Sequence, residues 1–385
     1  MVKPAVKLFI ILLGVVMVDR KLSSLDHENS VKLVMRNVEE IITKSDLETL
    51  LSEKEKPRTY IGFETSGFLH VGVGLVCGRK LLDFIEAGFE TIIFFADWHS
   101  WINNKLGGDF DKIKRACEYF IEAFKSLGIE GELVRYVTAS DLTKQEEYWE
   151  TVVRIAKSAS LKRVLRCLPI MGREMGIEDI ESAWVYYPAM QVADIFFMGI
   201  DVAAGGMDQR KAHMLARDVA EKLGYRKPMA VHTPLLTGLE GRGSKMEFDE
   251  QPDLAAKISA KMSKSKPDTC IFIHDSPEDI KRKIRKAFCP PQVLDGNPVA
   301  EMVSYIIFPY LGKIGLERSE KHGGTIVFEE EEDFKKAYLK GEIHPLDLKN
   351  GVTSSLISIL EPSRRYFEKT PKAKKLLEEM NTYVQ

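Results

Sequence analysis

The sequence predicts an α/β fold: a doubly wound parallel sheet carrying a helical insertion, followed by a mainly α-helical C-terminal domain. Three observations predict it. Tyr60-Ile61-Gly62-Phe63 reads as a short strand entering a Gly-containing turn, Thr65-Ser66-Gly67, and a helix pattern follows from near His70 to Ala87. Thr91 to Ala96 is then a mostly apolar run, the pattern of a parallel strand buried on both faces. After Pro277 strand signals fade and amphipathic helices dominate. Strand, turn, helix, strand is a βαβ unit, the building block of a parallel sheet.

In chain order, Lys3 and Lys7 precede an apolar run from Leu8 to Val18. It is too short to span a bilayer, and Asp19, Arg20 and Lys21 follow it where a cleaved signal has small residues. A signal, an appended helix and a start codon placed too early all fit. The last is preferred, with Met17 as the candidate start, and residues 1–30 are set apart as an N-terminal extension. Val31 to Leu51 carries helical periodicity, with Val34, Val38, Ile41 and Ile42 on one side, and Ser45-Asp46 reads as a cap for a short helix. Gly88 stops the helix that begins near His70. Asp109 to Leu127 is a long amphipathic helix, Val134 to Val137 a strand, and Glu146 to Met175 mostly helical with several basic residues. Asp201 to Ala204 is a strand ending in Gly205-Gly206, Met207 to Leu223 a helix, and Met229 to His232 another strand. Thr237 to Asp253 is rich in Gly and charge and reads as a surface loop. A short extended segment is expected at Thr325 to Phe328. The expected domains are 31–275, with an insertion at about 110–185, and 276–385.

Composition bounds the function. The chain of 385 residues is 44% hydrophobic and 29% charged, enough for a large core. Its net charge of -2 gives no bulk attraction to a polyanion, so nucleic-acid binding requires local basic patches. Cys77, Cys117, Cys167, Cys270 and Cys289 are odd in number and form no Cys-x-x-Cys pair. They read as packing or surface thiols in a reducing compartment.

Two motifs carry chemistry. His70-Val71-Gly72-Val73-Gly74 opens a helix directly after a strand and turn. A helix N-terminus presents unpaired N–H groups and a positive dipole end, which suit polyphosphate, and glycine admits a nucleotide close to the backbone. His70 can donate to a phosphate oxygen; it can equally be a helix-start histidine bonded to a loop carbonyl. Lys261-Met262-Ser263-Lys264-Ser265, flanked by Lys257 and Lys266, can close over a triphosphate and stabilise charge as pyrophosphate leaves. The plain alternative is a solvated basic loop. Tyr187, Gln191 and Asp194 stand at i, i+4 and i+7, so a hydroxyl, an amide and a carboxylate share one helix face. Ala96-Asp97-Trp98-His99 follows the second strand, where ligands sit in such sheets; Asp97 and His99 are second-rank candidates, with packing or loop capping as the other reading.

The two motifs, in this order, resemble the signatures of class I aminoacyl-tRNA synthetases, with Val73 where a second histidine is usual. From about residue 31 onward the chain resembles the tyrosyl-tRNA synthetases of archaeal and eukaryotic type. The resemblance rests on Tyr60-Ile-Gly-Phe-Glu-Thr-Ser-Gly67, Tyr187-Pro-Ala-Met-Gln191-Val-Ala-Asp194, Gly205-Gly-Met-Asp-Gln209-Arg210-Lys211 and His344-Pro-Leu-Asp347-Leu-Lys-Asn350. It implies a Rossmann-like catalytic domain and a helical anticodon-binding domain. It further implies that Tyr187 and Gln191, helped by Gln209, hold the α-ammonium of L-tyrosine, and that Tyr60 and Asp194 bond its phenol. ATP, as substrate and with Mg2+ accompanying it, would lie on His70, Gly72, Lys261, Met262, Ser263, Lys264 and Ser265; His70, Gly72, Lys261 and Lys264 would be the catalytic set. No prosthetic group or protein metal site is implied.

For tRNA(Tyr), Arg173, Arg210 and Lys211 resemble acceptor-end contacts, and Asp347, with His322 and His344, a site for the first anticodon base. Lys281-Arg282-Lys283-Ile284-Arg285-Lys286 reads either as a further contact or as a solvated helix face. The implied protein is a cytoplasmic homodimer with no membrane association, pairing through the insertion. Three other readings stay open: a tryptophan enzyme, a simpler nucleotidyltransferase, and a non-catalytic relative that only binds RNA.

Overall fold

The central sheet is built from β1 (Glu40–Ile42), β2 (Arg58–Phe63), β3 (Glu90–Phe95), β4 (Val134–Thr138), β5 (Val202–Gly206) and β6 (Met229–Thr233), in the order β1-β6-β5-β2-β3-β4. The computed structural model describes residues 27–171, 180–241, 252–264 and 266–384. β2 through β6 run parallel, and β1 lies antiparallel along β6 with Ile41 opposite Val231. Alternation along β2 and β3 feeds two cores. Ile61, Phe63, Ile93 and Phe95 face one layer, and Tyr60, Ile92 and Phe94 the other. Helices cover both faces, as the apolar runs require. The doubly wound expectation therefore holds.

The expected helix over Val31 to Leu51 is instead helix His27–Met35, strand β1 and helix Lys44–Glu53. Two features stop the first helix. The buried Lys80 ammonium binds the carbonyls of Leu33, Val34 and Arg36, and Asn37 adopts a left-handed φ of 52°. These hold the last carbonyls away from further helical bonding. Thr43, rather than Ser45, is the N-cap of the second helix, in a capping box with Asp46.

Helix Phe110–Ser126, capped by Asp109, crosses from β3 to β4 and binds the chain's last helices. Tyr119 meets the Phe367 ring at 5.7 Å, and the Ser126 and Ser363 hydroxyls pair at 2.8 Å. Helices Glu146–Ser158 and Tyr186–Phe197 pack together on the other face, between β4 and β5. From Pro277 on, helices Pro277–Lys286, Pro298–Met302, Pro345–Lys369 and Pro371–Val384 dominate. A two-stranded ribbon of β7 (Ile314–Leu316) and β8 (Ile326–Phe328) interrupts them; only β8 is legible in the sequence.

The stretch beginning at Thr237 is not all surface loop. Thr237 and Leu239 are buried, and Pro252–Ala260 is helical. Residues 242–251 lie outside the described residues, as does the N-terminal segment 1–26. Among the described residues no helix is long and apolar enough to cross a membrane.

Candidate active site

β2 pairs with β5 on one side and β3 on the other, so the crossovers diverge between the carboxyl ends of β2 and β5. That is where an open α/β sheet leaves a crevice. Here a cavity of about 650 Å³ opens, lined by the end of β2, the turn to His70, the face of helix Tyr186–Phe197, the Gly205-Gly206 turn and the lysine-rich loop.

One end is a buried polar cluster. Asp194 is 1% exposed and accepts from the Tyr148 hydroxyl at 2.8 Å. Burial pushes its carboxyl well above the usual range, the Tyr148 bond opposing. Tyr60 is buried beside it, and burial, then the charge of Asp194, pushes its phenol up against a bond from Gln191. The Gln191 amide donates to the Gln209 carbonyl at 3.0 Å. The Tyr187 hydroxyl donates to Glu64 at 2.9 Å, and Glu64 is 3.2 Å from the Lys105 ammonium. His99 packs edge-on to Tyr187 with Nε2 3.3 Å from Asp194. Burial lowers its pKa to about 3, which keeps the ring neutral. The shared helix face thus carries Tyr187, Gln191 and Asp194 into one pocket with Tyr60 and Gln209.

The other end is cationic. His70 is buried at the start of a π-helical turn, Gly72–Cys77, and Nδ1 has no hydrogen-bond partner. Its pKa falls to about 3 through burial, then Lys264 and Lys261. A Cβ on Gly72 would meet the His70 ring at 3.1 Å, close enough to press that ring out of its place by a few tenths of an ångström. Val73, half-buried, lines the cavity without a polar group. Lys261 Nζ pairs with Asp208 at 2.5 Å, and the pair raises its pKa against burial. Lys264 Nζ donates to the Glu64 carbonyl at 3.3 Å and stands 5.3 Å from the Phe120 ring centroid. Burial, then Lys105, pulls its pKa to about 7. Met262 and Ser263 line the same wall.

Other expected residues lie elsewhere. Arg210 donates its Nε–H to both carboxylate oxygens of Glu40, at 2.8 and 3.0 Å, and does not line the cavity; neither does Lys211. His344 is the N-cap of helix Pro345–Lys369, accepting from Leu346 N–H at 3.2 Å, and Asp347 sits in the first turn. Arg173, Ser265 and the side chain of His322 are outside the described residues. Asp97 turns from the cavity to bond Ser140 N–H at 2.9 Å and its hydroxyl at 2.5 Å, the loop-capping role. In the basic run, Lys283 is buried on Asp275 at 2.6 Å while Lys281, Arg285 and Lys286 are exposed.

Sequence reasoning missed Tyr148, Glu64 and Asp208 as site residues. Each is a partner brought from a separate element to a residue that the motifs do mark. The acidic residues inside the quoted segments around Tyr60 and Gly205 were the available signal for Glu64 and Asp208; nothing marked Tyr148.

Comparison with known proteins agrees with this geometry. The family model of tRNA synthetases class I (W and Y) matches residues 52–247 and 255–361. A tyrosine–tRNA ligase of Sulfurisphaera tokodaii is 46% identical over 362 residues, 94% of this chain and 98% of that protein. One of Saccharolobus solfataricus is 44% identical over 360 residues, 93% and 97% of the two chains. The structure of a tyrosyl-tRNA synthetase complexed with L-tyrosine, from Pyrococcus horikoshii, superposes with a TM-score of 0.84 at 43% identity, over 92% of this chain and 100% of that one. A sheet whose switch point holds a polar cluster facing two lysines, and relatives matched along almost their whole length, lead to one conclusion: the chain belongs to the class I aminoacyl-tRNA synthetases, as a tyrosine–tRNA ligase.

Proposed function

We propose that the cavity binds L-tyrosine at its Asp194 end and ATP at its lysine end, and that adenylation happens between them. The observation that carries this reading is the single cavity joining a buried phenol-sized polar cluster to Lys261, Lys264 and His70. Asp194 and Tyr60 bond the substrate phenol, with Tyr148 holding the Asp194 carboxyl. A phenylalanine ring would bury those groups without the bonds a phenol gives them, at a cost of about 1–3 kcal/mol for each. Tyr187, Gln191 and Gln209 bond the α-ammonium, with Glu64 adding a negative charge beside Tyr187.

The tyrosine carboxylate then attacks the ATP α-phosphate in line, giving tyrosyl-adenylate and pyrophosphate. Lys261 and Lys264, with Met262, Ser263 and Ser265 forming the loop, gather the charge of the leaving pyrophosphate; His70 and Gly72 shape the phosphate approach. A neutral His70 with a free ring nitrogen suits a donor to a phosphate oxygen. In the second step a ribose hydroxyl at the tRNA 3′ end attacks the adenylate carbonyl, and AMP leaves.

Mg2+ would arrive with ATP. Among the described residues no group of three or more His, Cys, Asp or Glu side chains could hold a metal, and Asp208 is already paired with Lys261. The ion would come as part of the nucleotide substrate.

The partner nucleic acid is tRNA(Tyr). Arg210 and Lys211, with Arg173, take the acceptor end, and Asp347, with His344 and His322, the first anticodon base. The domain boundary near 275 separates these two ends. Exposed Trp101, Val153, Leu161 and Tyr186 on or beside the insertion support a homodimer through that surface. The setting is cytoplasmic.

ATP–pyrophosphate exchange tests the site. Exchange with tyrosine and not tryptophan, lowered at least tenfold in Lys261→Ala, is expected. Unchanged exchange in that variant removes the assignment of the lysine end.

A further inference from the structure

We propose that Glu301, in the helical C-terminal region, is a positioning residue for the lysine-bearing loop: it fixes the ribbon of residues 236–239 and 260–262 and thereby sets where Lys261 stands. The inference rests on the reading of Lys261 as an ATP-site cation.

The ribbon is short. Met262 N–H donates to Leu236 at 2.7 Å, Gly238 N–H to Ala260 at 2.9 Å, and Thr237 pairs antiparallel with Lys261. Two strands of this length are marginal without outside support. A slip of one residue would turn Lys261 from the cavity to the opposite side.

The support comes from beyond residue 275. Glu301 is 9% exposed and accepts three bonds: Thr237 N–H at 2.8 Å, the Thr237 hydroxyl at 3.0 Å and Gly296 N–H at 3.0 Å. Phe288 N–H adds a second tie from the same region, to the Leu239 carbonyl at 2.7 Å. Glu301 is itself held firmly. Its helix, Pro298–Met302, is capped by the buried Asn297, which accepts from Val299 and Ala300 and donates to Val293 and Tyr338. Helix Pro345–Lys369, which carries Asp347, packs against that short helix. The residue opposite Lys261 in the ribbon is therefore the one that Glu301 grips by both backbone and side chain.

All three donors require a carboxylate. A glutamine has one carbonyl oxygen, so its amide must face either Thr237 N–H or Gly296 N–H, and two donors then oppose each other inside the protein. Glu301→Gln keeps the volume and removes the grip. Thr237→Val removes only the hydroxyl bond, and Thr237→Ser restores it.

The test is steady-state ATP–pyrophosphate exchange on the full chain, with KM for ATP and for tyrosine measured separately and thermal melting alongside. Glu301→Gln should lower kcat/KM for ATP roughly tenfold or more while tyrosine KM stays within about twofold. Thr237→Val should show a smaller effect of the same kind, Thr237→Ser near-normal values, and the double variant no more loss than Glu301→Gln alone. A fall in both substrates' parameters that tracks lost stability, or no ATP effect, overturns the inference. If Glu301→Gln does not fold, Thr237→Val with an unchanged ATP profile overturns it. Lys261→Ala separates the two readings: its defect beside a silent Glu301→Gln sinks the positioning role alone, and its absence sinks the lysine assignment beneath it.

Discussion

Two residues make the pocket's chemistry measurable. Lys264, with its pKa near 7, is charged below that pH and largely neutral above it in the free protein. Triphosphate favours the ammonium, so ATP binding at pH 8 should take up a proton. Calorimetry in buffers of different ionisation enthalpy reads that proton. Lys264→Arg, which stays charged, should lose the uptake; equal uptake in both proteins refutes the assignment. Asp194→Asn should lower kcat/KM for tyrosine by roughly 10–100-fold, about 1.5–3 kcal/mol, because the Tyr148 and Tyr60 hydroxyls then face an amide. Tyrosine kinetics unchanged by that substitution would remove Asp194 from the pocket. The spacing of Tyr187, Gln191 and Asp194 made their shared helix face readable, and the family resemblance made them a candidate tyrosine site. Tyr148 was not, because its role exists only once helix Glu146–Ser158 lies against helix Tyr186–Phe197.

At the level of elements, glycines separate shape from chemistry. A Cβ on Gly74 would lie 2.7 Å from Ile273 Cγ2 and 3.3 Å from both Leu69 and Leu127, all packed core. Gly74→Ala should cost about 1–3 kcal/mol through overpacking and lower the melting temperature by several degrees. Gly72→Ala presses only on His70 and should cut kcat with little change in melting. A melting loss equal to that of Gly74→Ala would contradict this difference. Parallel strands were legible because β3 is a mostly apolar run and β2 enters a Gly-containing turn that opens a helix. β1 was hidden: three residues continue a helical periodicity, which ends through Lys80, from another helix, and the left-handed turn at Asn37. The buried start of the loop at Thr237 was hidden likewise, since its support, Glu301, lies 64 positions away.

Across the whole molecule, the first helix among the described residues is tied to the sheet layer by charge, through Arg36 just beyond its end. Asp83 is fully buried and meets Arg36, Arg79 at 2.9 Å and Lys80 at 3.3 Å. Asp83→Asn leaves the buried Lys80 ammonium without a carboxylate, and Arg36 and Arg79 with Glu86 alone, and should destabilise by about 3–5 kcal/mol, seen as a lowered denaturant midpoint. Asp347→Asn should lower aminoacylation of tRNA(Tyr) roughly tenfold while tyrosine-dependent exchange is unchanged; a loss of exchange would place Asp347 in the fold's support instead. The continuous cavity between Asp194 and Lys261 also has a pharmacological side. With no wall dividing the two ends, one inhibitor can carry a phenol and a non-hydrolysable acyl-sulfamate nucleoside on a single scaffold. Tethering makes the second half's docking intramolecular, so such a compound should outcompete an equimolar mixture of its fragments by orders of magnitude.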